Sequence, residues 1–373
     1  MERLNITARL EAAAKLESQG LSFHAWDDYW KEDACYRFTL AQVEEIEAAT
    51  EELHDMCMKA LKVAINDKRL GQFGIPEKFW PDIKLSFERN DLSLYGRFDI
   101  AYDGKSPPKM LEYNADTPTS LLESAVCQWY WLEDQFKDQD QFNSIHERLV
   151  ERWKQYPVTT LIHVATLKEN EEDWVCATYI QETITQAGHN SKLIYVEDIG
   201  WDVERKCFTD LDGFEIESIF KLYPWEYMMR EDFGERILES TTRFIEPLWK
   251  SVLSCKALLP LLWELFPDHP NLLSAYFEPT KLTSYAKKPF YSREGANITL
   301  VKDGIPIASD DGPYGEEGYI YQALYPMPVF EGKYPVIGSW VVNGQSAGMC
   351  IREDVKQITT NMSNFVPHYF TKK

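Results

Sequence analysis

One segment concentrates the residue types that phosphate and metal chemistry needs: YGRFDIAYDGKSPPKMLEYNADTPTS, from Tyr95 to Ser120. Side chains alternate faces along a strand, so Arg97 and Asp99 share a face of the first run, and Glu112 and Asn114 share a face of the second. Phe98, Ile100, Leu111, Tyr113 and Ala115 then point the other way, into a core. If the two runs pair across the turn-rich GKSPPK, one guanidinium and three oxygen donors meet on a single patch. Two carboxylates and a carboxamide are hard donors of the kind magnesium prefers, and magnesium usually keeps waters and shares substrate phosphates. The patch suits a magnesium nucleotide. It equally fits the solvated outer face of a hairpin that carries an Arg–Asp pair.

In so acidic a chain a triphosphate needs cationic groups besides the metal. Lys256 precedes the apolar run KALLPLLWELF, and Lys288 ends the strand-like TSYAKK. Alternation turns Lys287 and Lys288 to opposite faces, so one of the two points inward. Beyond them SREGAN contains Gly295, which would let backbone N–H groups approach phosphate oxygens. Surface exposure is nevertheless the ordinary state of any one lysine. Other chemistries lack their patterns. The histidines show neither HxxxH nor HExxH spacing, and there is no GxSxG elbow, no GxxxxGK[ST] loop and no GxGxxG. The aromatic residues on which a sugar would stack are scattered along the chain and read as core.

Composition bounds the partners. The 373 residues include 39 Lys plus Arg against 60 Asp plus Glu, a formal charge of −21. Such a field repels nucleic acid and anionic membrane surfaces and attracts a cationic small molecule such as a polyamine, although it also serves solubility alone. Seven dispersed cysteines without a CxxC pair point to reduced, mostly buried thiols, not to a disulfide framework or a thiolate zinc site. The longest apolar run, Ala257 to Trp263, falls far short of the roughly 18 residues of a membrane span. The charged start MERLNITARLEAAAKLESQG is unlike a signal peptide, so a cytoplasmic address is expected. The length allows two or three packed units at about 150 residues each.

These residues need elements to hold them. Thr39 and Gln42 form a capping box at the start of a long helix whose stripe is Val43, Ile46, Leu53, Cys57, Ala60 and Ala64. Leu94 to Asp103 and Met110 to Asp116 read as a hairpin, followed by a helix over 119–136. The middle third alternates: strand-like TTLIHVA from Thr159, a helix from Glu171, strand-like KLIYV from Lys192 and EIESIFKLYPW from Glu215, a small α/β unit. Residues 247–266 read as a helix interrupted by Pro260 and stopped by Pro267 and Pro270. The last hundred residues turn mostly β. Asp303-Gly304 and Asn343-Gly344, each between apolar runs, predict hairpins of a lid-like antiparallel sheet, with loops at 292–296 and 310–318.

Seven ordered blocks, GRFDIAYDG, LEYNADTPTSLLE, KLYPWE, SCKALLPLLWE, KKPFYSREGAN, GPYGEEGYIYQ and GSWVVNGQSAGMCIRED, resemble the glutathionylspermidine synthetase family and its stand-alone acid–amine ligases over nearly the whole chain. The resemblance implies an α/β (α+β) fold of the ATP-grasp type. A central sheet with the metal site would come from 80–140 and 326–373, a pre-ATP-grasp α/β subdomain from 155–245 and a β-rich lid from 250–325. The metal motif precedes the nucleotide lysines, as in the permuted arrangement. The implied reaction is amide formation: ATP phosphorylates a carboxylate, and an amine attacks the acyl phosphate. An alternative is a nucleotide-binding regulatory module or an uncoupled ATPase.

By the same resemblance, Asp99, Glu112 and Asn114 would hold two magnesium ions, and Arg97 and Arg352 would be catalytic, Arg97 by stabilising the transferring group. Contacts to ATP would come from Arg97, Phe98 and Asp99, from Lys256, Lys288 and Gly295, from Gln322, Ala323 and Leu324, and from Gln357, Ile358 and Thr359. Thr117 and Thr119, with the acidic pair Glu172 and Asp173, would contact the small-molecule acid and amine. Leu222 and Tyr227 replace small polar groups of the true synthetases. The N-terminal amidase domain of bifunctional members is not expected here.

Overall fold

A computed structural model describes residues 1–157 and 160–372. Its centre is a five-stranded antiparallel sheet in the order Asn364–Phe365, Gln345–Asp354, Tyr334–Val342, Tyr95–Ala101, Lys109–Asn114. The long helix runs from Leu40 to Asn66, and the Thr39 and Gln42 side chains cap its start reciprocally. All six residues of its stripe are buried. They pack with Phe98, Ile100, Ile337, Met349 and Ile351 from one face of the sheet in a single apolar core. The opposite face carries Arg97 and Asp99 beside Tyr95, Trp340 and Cys350, which belong to a second apolar core.

The expected hairpin forms with Arg97 opposite Asn114 and Asp99 opposite Glu112. Strict alternation fails just beyond. A β-bulge at Asp99/Ile100 pairs Ile100 with Met110, so Met110 enters the core and Leu111, expected there, is half-buried and faces a cavity.

A second antiparallel sheet has the order Ala275–Tyr276, Tyr319–Ala323, Tyr285–Pro289, Thr299–Lys302, Ile305–Ser309. Alternation along Tyr285–Pro289 buries Lys288 and leaves Lys287 over the Tyr319 ring. Asp303 and Gly304 (φ 49° and 77°) turn within this sheet, whereas Asn343 and Gly344 (φ 51° and 74°) turn within the central one. Both turns have the left-handed backbone a two-residue hairpin requires, but they belong to different sheets and not to one lid.

A third sheet is parallel, in the order Arg243–Ile245, Ser218–Lys221, Leu161–Thr166, Asn190–Tyr195. Its crossover helix, Glu171–Gln186, starts where the Asn170 side chain accepts the Asp173 N–H. Thr159, the expected start of the first strand, lies outside the described residues. The helix expected over 119–136 begins at Leu121, passes through a π turn at Glu123–Cys127 and ends at Gln135.

The expected break at Pro260 is displaced. Two short helices, Lys250–Leu253 and Leu258–Leu265, separate where the Lys256 N–H is diverted to the Phe290 carbonyl. Pro260 is the third residue of the second helix, where an N–H has no partner within the helix, so it breaks nothing. A three-stranded sheet of Glu2–Asn5, Ala34–Thr39 and His368–Thr371 joins the two ends of the chain. All seven cysteines are free and buried. Among the described residues no helix is long and apolar enough to cross a membrane.

Candidate functional site

The polar face of the central hairpin forms the floor of a cavity of about 400 Å³. Arg97 donates from Nε to Asp99 Oδ1 (3.0 Å) and from Nη1 to the Thr119 carbonyl (2.8 Å), and its guanidinium lies over Trp340. Gly338 makes room for it: a Cβ there would stand 2.7 Å from Arg97 Cδ and 2.6 Å from Cys350 Sγ.

Around the two carboxylates stand three cations. Lys256 Nζ is 3.2 Å from Glu112 Oε2 and donates to the Ser292 carbonyl. Lys288 Nζ donates to the Leu111 carbonyl (2.9 Å) and Gln322 Oε1 (2.8 Å), and the bulge is what turns that carbonyl's residue away from the core. Burial lowers the Lys288 ammonium to about 8. Burial raises Asp99; Arg97 opposes this, and the facing Glu112 adds to it. Burial acts the same way on Glu112, but Lys256 and Lys288 outweigh it and hold this carboxyl below the usual range. Two facing carboxylates, one of them holding its proton unusually tightly, and a carboxamide form a hard oxygen-donor set that a divalent cation would relieve. Among the described residues no group of three or more His, Cys, Asp or Glu is placed to hold a metal. A magnesium ion here would therefore complete its shell from water or phosphate.

The second sheet contributes Gln322 and Ala323, Leu324 follows directly after their strand, and the loop after Gln345–Asp354 contributes Gln357, Ile358 and Thr359. Gly295 has φ 75°, and a Cβ on it would lie 2.5 Å from Ile358 Cγ2 and 2.6 Å from the Thr359 carbonyl, so the 292–296 loop seats directly on that segment. Thr117, Thr119, Glu172, Asp173 and Arg352 also line the cavity. Burial, with repulsion from Glu172, raises the Asp173 carboxyl to about 7, and burial also raises Glu294. Leu222 and Tyr227 supply apolar wall beside them.

The structure thus brings together nearly all the residues singled out from the sequence. Phe98 is the exception. Its side chain lies on the core face, stacked on Tyr113 at 3.9 Å between ring centroids, because strand alternation sends it away from its neighbours Arg97 and Asp99. Lys256 reaches Glu112 without lining the cavity.

Other participants escaped the sequence reading. Arg293, inside SREGAN, donates to Thr117 Oγ1 (2.8 Å) and Glu226 Oε1 (3.0 Å), tying the loop to the segment after the central hairpin and to the one after the strand Ser218–Lys221. Its Nε is buried without a partner, a donor free for a ligand. Arg352 is held by the Ser363, Thr360 and Asn361 carbonyls, lies over the Tyr29 ring and reaches Ser120 Oγ at 3.4 Å. Tyr29 donates to Glu123 Oε1 at 2.6 Å, and burial raises that carboxyl to about 7. Glu123 sits in the π turn and Ser120 in a left-handed conformation (φ 66°), two local irregularities that only coordinates reveal.

Comparison with known proteins gives the family and the fold. The family model described as glutathionylspermidine synthase preATP-grasp matches residues 3–371. A Haemophilus influenzae protein named "Putative acid–amine ligase" is 43% identical, the match covering 92% of this chain and 91% of that one. Trypanothione synthetase of Crithidia fasciculata is 31% identical over 83% of this chain and 52% of its own length, so the chain spans about half of that relative. Among solved structures, a glutathione synthetase-like effector from Globodera pallida superposes with a TM-score of 0.57 at 12% identity, covering 97% of each chain, which shows a shared fold. With a family model matched from residue 3 to residue 371, the chain belongs to the glutathionylspermidine synthase family.

Proposed function

We propose that this protein is an ATP-dependent ligase that joins a carboxylic acid to an amine through an acyl phosphate, on a permuted ATP-grasp fold. One observation carries the reading: a single cavity is lined by a cationic, oxygen-donor group, Arg97, Asp99, Glu112, Asn114 and Lys288, and by a carboxylate-rich group, Glu172, Asp173 and Glu294, with Arg293 beside it. The first group suits a magnesium triphosphate and the second an ammonium, the two charged reactants of amide ligation.

Asp99, Glu112 and Asn114 would hold magnesium, which when bound shields phosphate charge. Lys256 and Lys288 neutralise phosphate oxygens, and the low dielectric around buried Lys288 strengthens that attraction. Gln322 to Leu324 border the nucleotide's base, and the Gly295 loop excludes water from the phosphates. The acid's carboxylate oxygen attacks the γ-phosphorus and ADP leaves. Arg97 and Arg352 stabilise the charge on the transferring group. The bound ammonium gives one proton to Asp173, the freed amine nitrogen attacks the acyl carbon, and phosphate leaves carrying the second proton lost from nitrogen. Asp173, held near 7, suits that acceptance.

A panel of acid and amine pairs, followed by phosphate release and by mass spectrometry of the products, tests the reading. Phosphate release is expected to require both partners and to match amide formed. Steady release without amide would show an uncoupled ATPase instead.

Gly295→Ala is expected to weaken ATP binding about tenfold, since a left-handed alanine costs about 1–3 kcal/mol and the methyl collides with Ile358 and Thr359. An unaltered calorimetric titration with ATP would remove the loop from the site.

A further inference from the structure

A second cavity, of about 450 Å³, lies outside the site described above. Its walls are Phe208, Ile216, Ile219 and Phe244, and its rim carries Glu197, Glu231 and Asp232. Phe233, 49% exposed, stands at the same rim. Among the described residues no lysine, arginine or histidine lines it. Lys168, in a flanking segment, gives its backbone N–H to Glu197 and its ammonium to Asp198, while Glu231 takes the Tyr223 hydroxyl and, like Asp232, has no ion-pair partner among the described residues.

Its position has a topological reason. The chain leaves Leu161–Thr166 first for the strand on one side, Asn190–Tyr195, and later for the strand on the other, Ser218–Lys221. Open parallel sheets bind ligands at the carboxyl ends of strands beside such a switch, where diverging connections leave a crevice. Leu167, Val196 and Tyr223, each one or two residues past a strand end, all line this cavity. Leu167 also lines the reaction cavity, which makes the two neighbours.

We infer that this cavity is a second ligand site, for an organic ammonium with an apolar body. The apolar walls accept a hydrocarbon or aryl group, the volume falls within the usual range of about 300–1,000 Å³ for small-molecule pockets, and three carboxylates with an aromatic face attract the cation while repelling anions. The inference needs no nucleotide and stands apart from the ligase reading.

Calorimetric titration of the full chain with 2-phenylethylammonium, without ATP, tests it, with 3-phenylpropanoate as the isosteric anion. Saturable binding of the ammonium at least about tenfold tighter than of the anion is expected. The double variant Glu231→Gln/Asp232→Asn, at exposed positions, should lose about tenfold in affinity while melting at the parent temperature. Glu172→Gln/Asp173→Asn, which removes the carboxylates of the reaction cavity, should still show one saturable ammonium site of the parent's affinity. Equal affinity for the anion, no saturable binding, or loss of binding in the Glu172/Asp173 variant instead of the rim variant would overturn the assignment.

Discussion

Asp99→Ala and Glu112→Ala are each expected to lower magnesium-dependent ATP turnover by about 100-fold or more, because each removes a charge that places cation and phosphate together, an effect of several kcal/mol. The fold should survive. Arg97 loses one acceptor in Asp99→Ala but keeps the Thr119 carbonyl, and neither carboxylate belongs to the apolar core. The two variants should also differ. Glu112→Ala leaves Lys256 and Lys288 facing each other without the anion between them, so phosphate binding without magnesium should persist or tighten. Asp99→Ala removes the carboxylate that faces Glu112 and leaves Glu112 bound to Lys256. Steady-state turnover against magnesium concentration, with circular dichroism as the check on folding, measures both. Parent-level turnover in either variant would contradict the assigned role of the hairpin.

The largest expected effect on stability lies two residues past Asn114. Asp116 and Lys221 form an ion pair at 2.6 Å, with side-chain exposures of 1% and 2%. Asp116 also accepts the Trp225 N–H, Lys221 also donates to the Tyr223 carbonyl, and its ammonium lies 4.5 Å from the Trp225 ring centroid. Burial raises the one group and lowers the other, so each would rather be neutral alone and is charged because of its partner. Asp116→Ala strands the ammonium in the core and should cost about 3–5 kcal/mol, read as a lower denaturation midpoint. Asp116→Asn combined with Lys221→Met should cost markedly less, since no charge is left unpaired. A loss below about 1 kcal/mol in the single variant would show that water reaches the pair. The pair ties the segment after the central hairpin to the parallel sheet.

Legibility followed the range of the forces involved. The capping box at Thr39 and Gln42, the two glycine turns and the pairing of Arg97, Asp99, Glu112 and Asn114 are local, and local geometry is written in spacing. Leu111 was misplaced because one bulge shifts the period for every residue beyond it. The break near Lys256 was misplaced because a hydrogen bond to Phe290, 34 positions away, outweighs the proline nearby. Phe98 could be assigned to core or site only by choosing between its own alternation and its neighbours' chemistry, and alternation prevailed. Arg293 was passed over because the loop's glycine was the more visible signal.

By itself the sequence determined the family and the strand face that Arg97, Asp99, Glu112 and Asn114 share on the hairpin. Only the tertiary structure decided that Lys288, Arg352 and Asp173 share a cavity with them, and that a second cavity opens beside it. The reason is physical: strand period and turn conformation are properties of a few consecutive residues, whereas burial, charge pairing and cavity shape arise from elements that meet across hundreds of positions and leave no mark in spacing.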